Sequence, residues 1–435
     1  MMIKTLLAGA VLLSTTATSA FAATDITWWH AMGGELGDKV NEIAKNFNDS
    51  QDQYHVTPVY KGTYPETMTA AIAAFRAGKQ PDIVQVYEVG TATMMAAEGA
   101  IKPVYKLMQD SGVDFDPSDY LQAVTGYYTD TDGHMLSLPF NSSTPILYYN
   151  KDEFDKAGID GAPKTWQDVA DDSKKVMENS DASCGFTTGW QSWVQLETFS
   201  AWHNVPFGTK QNGFGGLDTK FVFNGDLQKR HISDMAKWAK SGVFKYGGRQ
   251  GDARPLFYSG ECSMYMGSSA SRASILANTK AKVGFAELPY YDDVKGAPQN
   301  TIIGGASLWV LSGKSDEEYK GVATFFKYLS SPEVQADWHQ FTGYLPITTA
   351  AYELSKKQGY YEKNPGAEVA IQQMTKNPPT ENSKGIRFGN FAQTRDIING
   401  ELEQVWSGNK SAEAALDDAV DKGNTILRKF EKAHQ

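Results

Sequence analysis

Between residues 25 and 86 the apolar pattern alternates between the two-residue period of a strand and the 3.6-residue period of a helix. Asp25 to His30 reads as a buried strand, and Val40, Ile43, Ala44 and Phe47 then recur on one face of a helix from Glu35 to Asn48. A second strand is expected at His55 to Tyr60. Pro65 opens another helix with Met68, Ile72 and Phe75 sharing a face, Gly78 is placed to end it, and Asp82 to Val86 reads as a third strand. This βαβαβ order implies an α/β fold in which helices cover a parallel sheet. Ligands are then expected in the crevice beyond the carboxyl ends of the strands.

The chain has 435 residues, and single cores stop growing near ~250 to 300. Two lobes are therefore expected. One crossing between them is read at Leu138-Pro139-Phe140-Asn141, ahead of the strand Ile146 to Tyr149, and a return at Thr301 to Ser312, where Gly304-Gly305 precedes the apolar run Ala306 to Leu311. The expected division is residues 23–139 plus 301–345 for lobe I, and 140–300 plus 346–435 for lobe II. Within the second lobe Thr165, with Asp168 three residues on, reads as a helix N-cap. The last helix, Ala412 to Phe430, carries Ala415, Ala419, Ile426 and Leu427 on its apolar stripe.

Residues 1–22 read as a cleaved signal peptide, with Lys4, an apolar run Leu6 to Leu13, and the small-residue ending Ala20-Phe21-Ala22. The run is too short to span a bilayer, which takes about 20 apolar residues. Export to the periplasm is expected, with no insertion into the membrane. The formal charge of −10 argues against nucleic acid and against an anionic membrane surface as partners. Cys184 and Cys262 are too few for a disulfide scaffold, and the sequence leaves open whether they pair.

Motifs for chemistry are missing. Gly208 and Gly213 have phosphate-loop spacing, but Phe214 stands where the lysine belongs. The histidines, at 30, 55, 134, 203, 231, 339 and 434, include no HExxH and no pair three to five residues apart, so no metal site is expected. Gly267-Ser268-Ser269-Ala270-Ser271 only superficially suggests a nucleophile elbow. With 51 acidic residues, counting alone does not remove a glycosidase.

Recognition is better represented. Trp190 and Trp193, beside Gly189 and Gln191, read either as a platform for a polyol or choline group or as a helix start packed on a sheet. Asn141-Ser142-Ser143-Thr144, Gly267-Ser268-Ser269 and Gly304-Gly305 place hydroxyls and glycine amides on expected loops. Such neutral donors together replace the hydration shell of an oxyanion.

The segments ILYYNKDEF (146–154), TWQ (165–167), 257–266 and FFKYLSSPEVQADWHQFTGYLP (325–346) resemble the extracellular solute-binding proteins of ABC importers, in the branch that includes maltose-binding protein. YKGTYPETM, QVYEVGTATMMA, PFNSSTP, GWQSWVQLE, APQNTIIGGASLWV and TGYLPIT are similar to the members of that family that bind sn-glycerol 3-phosphate. This likeness covers essentially the whole mature chain.

The resemblance implies a two-lobed periplasmic binding protein fold, each lobe a mixed sheet flanked by helices, with the ligand cleft at the hinge. It implies capture of sn-glycerol 3-phosphate, and of glycerophosphocholine, for delivery to importer membrane subunits served by a cytoplasmic ATPase. No enzyme activity and no cofactor are implied, and the receptor is expected to be a monomer. Carried over by position, the ligand shell is Tyr64, Glu88, Ser143, Trp190, Trp193, Ser268, Gly305, Tyr344 and Arg395. The residues alone leave Arg395 open between a phosphate contact and a pairing with Asp396 or Glu401 on a helix surface; the resemblance implies the phosphate, which a planar guanidinium matches better than lysine does. One departure is Ala270-Ser271-Arg272, where the family has Gly-Ser-Leu, so Arg272 is expected to alter the local field. The rival readings are a carbohydrate receptor of the same fold and a secreted hydrolase.

Overall fold

The computed structural model describes residues 22–97, 99–130 and 132–434. Apart from Ala22, the expected signal peptide lies outside the described residues. The strands are β1 (Thr24–His30), β2 (Tyr54–Tyr60), β3 (Ile83–Tyr87), β4 (Leu138–Ser143), β5 (Pro145–Asn150), β6 (Cys184–Thr188), β7 (Cys262–Ser268), β8 (Val283–Ala286) and β9 (Gly304–Val310). They form two sheets, ordered β2-β1-β3-β9-β4 and β6-β7-β5-β8. The βαβαβ start gives β2, β1 and β3 in parallel, while β9 runs antiparallel to both β3 and β4. The second sheet is mixed as well: β6 and β7 are parallel, and β5 is antiparallel to both β7 and β8.

Helix Gly34–Ser50 buries Val40, Ile43, Ala44 and Phe47 as the period requires. The larger of these, Val40, Ile43 and Phe47, each contribute about 1.5 to 3 kcal/mol. Helix Tyr64–Arg76 begins at the expected proline and is fixed by a reciprocal Thr63–Glu66 capping box. Its inner face differs from the expected one. Thr67, Met68 and Ala71 are buried, whereas Ile72 is 38% exposed, because the sheet meets the side that carries 67, 68 and 71 and leaves Ile72 at the flank. Gly78 ends the helix at φ +65°, a left-handed conformation that favours glycine.

The first crossing differs too. β4 stays in the first sheet through Ser143 and β5 joins the second at Pro145, so the chain passes over at Thr144 and not between 139 and 140. Asn141 to Ser143 are consequently strand residues. Backbone pairing with Gly304 to Ala306 of β9 claims them, a long-range contact that their turn-like composition does not announce. The Thr144 hydroxyl lies 2.7 Å from that of Thr301 and 2.9 Å from the Ile302 carbonyl, which ties the outgoing and returning segments together.

One core gathers Trp28, Phe47, Phe140 and Phe325, and another gathers Trp166, Phe186, Phe207 and Phe221. The open question of the cysteines is answered here. Cys184 and Cys262 face each other across the β6–β7 pairing and form a disulfide. Among the described residues no helix is long and apolar enough to cross a membrane.

Candidate functional site

A cleft of 370 Å³ lies between the two sheets, and all nine residues of the expected shell line it. Their positions follow from topology. Tyr87 ends β3 and Glu88 begins the turn after it; Ser143 ends β4, Ser268 ends β7, and Gly305 lies at the start of the antiparallel β9. These strand ends share one rim, where ligands of open α/β sheets bind. Tyr64 opens its helix. Tyr344 follows Gly343, whose φ of +82° ends helix Pro332–Thr342, and is anchored by the Leu345 N–H donating to the Ser142 carbonyl (2.8 Å). Gly305 admits no side chain: at φ +91° a Cβ would lie 1.9 Å from the Asn141 carbonyl oxygen.

A relay of neutral groups runs along the first-lobe wall. The Ala31 N–H donates to Gln85 Oε1 (2.7 Å), Gln85 Nε2 to Asn141 Oδ1 (2.8 Å), and Asn141 Nδ2 to the Tyr64 hydroxyl (2.7 Å). Tyr64 accepts that bond, and its hydroxyl also pairs with that of Tyr344. Burial, and then the neighbouring Tyr344, push the Tyr64 hydroxyl well above its ordinary pKa; burial likewise raises Tyr344. Both phenols stay neutral donors. Tyr87 stacks on Tyr64 at 5.4 Å, and Trp190 lies tilted to the Tyr64 ring at 6.3 Å.

Two helices begin on the cleft lining without a side-chain cap, at Gly33–Gly34 and at Ala270–Ser271. Uncapped N-termini present N–H groups and a partial positive charge to an anion. Ser268 Oγ accepts from the Ala270 N–H (3.2 Å), which leaves the hydroxyl proton available.

The second-lobe wall is built around Arg395, on helix Phe391–Trp406 and 5% exposed. Its partners are neither Asp396 nor Glu401. Nε and Nη2 donate to the two oxygens of Glu197 (2.9 and 2.6 Å), and Nη1 donates to Glu88 Oε1 across the cleft (2.7 Å). Of its five N–H groups three are engaged and two remain. Burial opposes its charge, but Glu197 and Glu88 outweigh that and hold it protonated. Burial raises the Glu88 carboxyl and Arg395 opposes the rise.

Glu197 escaped sequence reasoning. It sits in a π-helical turn, Trp193–Thr198, 1% exposed and bonded by the Ser192 hydroxyl (2.8 Å). An acid among apolar residues in WVQLE was the available signal. Trp190 adopts φ +48°, strained for a bulky residue and a mark of functional positions. It is only partly buried, while Trp193 is 4% exposed and covers Gly304, where a Cβ would meet its ring at 2.3 Å. Each indole both lines the cleft and packs on the fold. Arg254, Gln250 and Gly251 also line the cleft and were not anticipated. Arg272 does not line it; its guanidinium donates to Asn364 Oδ1 (2.8 Å) and lies over Phe285.

Residues 42–369 match the family model of the bacterial extracellular solute-binding proteins. The chain belongs to that family. It is 54% identical over 417 residues to the sn-glycerol-3-phosphate-binding periplasmic protein UgpB of Salmonella typhimurium, covering 95% of each chain. To UgpB of Yersinia pseudotuberculosis it is 53% identical over 420 residues, covering 96% of this chain and 95% of the relative. The fold superposes on UgpB from Mycobacterium tuberculosis in complex with glycerophosphocholine at TM-score 0.76 and 21% identity, covering 94% and 99% of the two chains. It also matches maltose-bound MalE3 of T. maritima at TM-score 0.74 and 19% identity, covering 94% and 100%. The solute-binding family and its periplasmic relatives place this chain in the periplasm with a two-lobed binding-protein fold.

Proposed function

We propose that this protein captures sn-glycerol 3-phosphate, and glycerophosphodiesters such as glycerophosphocholine, and hands them unchanged to the membrane subunits of an ABC importer driven by a cytoplasmic ATPase. The observation that carries the reading is the convergence of nine carried-over residues on one cleft between two sheets. The neutral hydroxyls of Ser143, Ser268 and Tyr344, with the uncapped helix starts, suit the phosphate oxygens. Glu88 suits the glycerol hydroxyls as acceptor, and the two unengaged N–H groups of Arg395 suit one phosphate edge. Trp190 and Tyr64 offer ring faces to a choline.

Hydrolysis through the two buried carboxylates is disfavoured by the same geometry, because Glu88 and Glu197 both bind Arg395 and neither stands free as an acid or base. We take the lobes as 23–143 plus 301–345 and 145–300 plus 346–435, joined first at Thr144. A ligand touching both lobes binds the closed arrangement better and shifts the equilibrium by that difference. The importer reads closure.

Calorimetry tests the reading. Heat with sn-glycerol 3-phosphate and none with maltose is expected, and phosphorus NMR should recover the ligand uncleaved. Silence with the phosphate, or binding of maltose alone, would overturn it.

A further inference from the structure

The cleft holds two guanidiniums in unlike circumstances. Arg395 faces two carboxylates, so it and its partners together carry one net negative charge. Arg254 is different. It lines the same cleft, at the start of helix Arg254–Tyr258, with no carboxylate within 4.0 Å of it among the described residues. Its Nε donates to the Gly251 carbonyl (3.0 Å), and the guanidinium lies folded back over Gly251, where a Cβ would come within 2.6 Å of Nη2. The missing side chain at 251 is what lets the cation lie there. Glu35, exposed and on the opposite lobe, is the remaining charge on the lining, whereas Arg254 is half-buried.

Resting on the function proposed above, we infer that Arg254 sets the preference for a doubly charged phosphate monoester over a singly charged phosphodiester. A cation without a counter-ion acts on ligand charge in full, so its contribution doubles from monoanion to dianion. Arg395, already compensated, discriminates less and serves to orient. Specificity is a difference between two affinities, and the uncompensated charge supplies that difference.

The test is titration of the mature chain at pH 8 and low salt with sn-glycerol 3-phosphate and with glycerophosphocholine. Arg254→Gln should raise the Kd of the monoester about tenfold more than that of the diester. Arg254→Lys should restore part of the difference. Gly251→Ala, which displaces the guanidinium and keeps its charge, should shift the ratio the same way by a smaller factor. Equal weakening of both ligands, reproduced by Glu35→Gln, would make Arg254 a closure contact and overturn the inference, as would no change in either. If the unaltered chain binds neither compound, the proposed function falls first and the Arg254 variants are not the cause.

Discussion

The two walls of the cleft solve the same problem by different physics. Along the first-lobe wall runs a chain of neutral dipoles, from the Ala31 amide through Gln85 and Asn141 to Tyr64, each oriented by the one behind it. The second-lobe wall is charged, and its guanidinium at 395 is fixed by Glu197 before any ligand arrives. Neutral donors hold an anion at low desolvation penalty and little salt sensitivity. Buried ions hold geometry, but only while every partner is present.

The sharpest way to break this contrast is Glu197→Ala, which takes the bidentate partner from a buried cation and leaves it Glu88 alone. Unfolding free energy should fall by about 4 kcal/mol in denaturant titrations, whereas Gln85→Ala in the neutral relay should remove about 1 to 2 kcal/mol. Equal losses would erase the distinction between the walls.

Acid comes next. His203 donates from Nδ1 to the Phe199 carbonyl (2.8 Å) and accepts the Tyr291 N–H at Nε2 (3.0 Å), a neutral tautomer. Burial lowers its pKa to about 4, as it does for His30 and His339. A depressed pKa stabilises the fold above the unfolded value near 6.5, and that stability is lost as pH falls toward 4. Each such histidine contributes on the order of 3 kcal/mol to the loss. Carboxyls raised by burial, such as Glu153, act in the opposite sense. Melting curves of His203→Gln should therefore show a shallower decline between pH 6.5 and 4 than the unaltered chain.

The disulfide separates the sheets again, since it joins only the second. Cys184→Ser with Cys262→Ser opens a closure of 78 residues and should lower stability by about 3 kcal/mol. Reductant should then leave the variant's melting temperature unchanged. The smallest effect is expected for Tyr64→Phe, which leaves Asn141 Nδ2 without its acceptor and should weaken ligand binding by about tenfold, or 1.4 kcal/mol.

Much of this was legible in the order of residues. Strands β1 to β3 and their helices follow from local period, because each buries one face against a neighbour close in the chain. The Thr165 cap with Asp168 was equally local, and the structure forms it as a reciprocal box. Asn141 to Ser143 were misread as loop because their strand is created by β9, some 160 residues away. The inner face of helix Tyr64–Arg76 depended on which side the sheet approaches, a tertiary matter. Glu197 and Arg254 were invisible for a related reason. A counter-ion and an absent counter-ion are both facts about space, and only the folded cleft shows that one guanidinium is shared while the other is not.

The paired segments at Thr144 and Thr301–Ile302 set what kind of movement the molecule can make. Two strands stapled side by side flex easily about the line across them and resist shear and torsion. Bending about that line is thereby favoured over sliding, as with a book on its spine, and the angle between the covers is what such a movement changes.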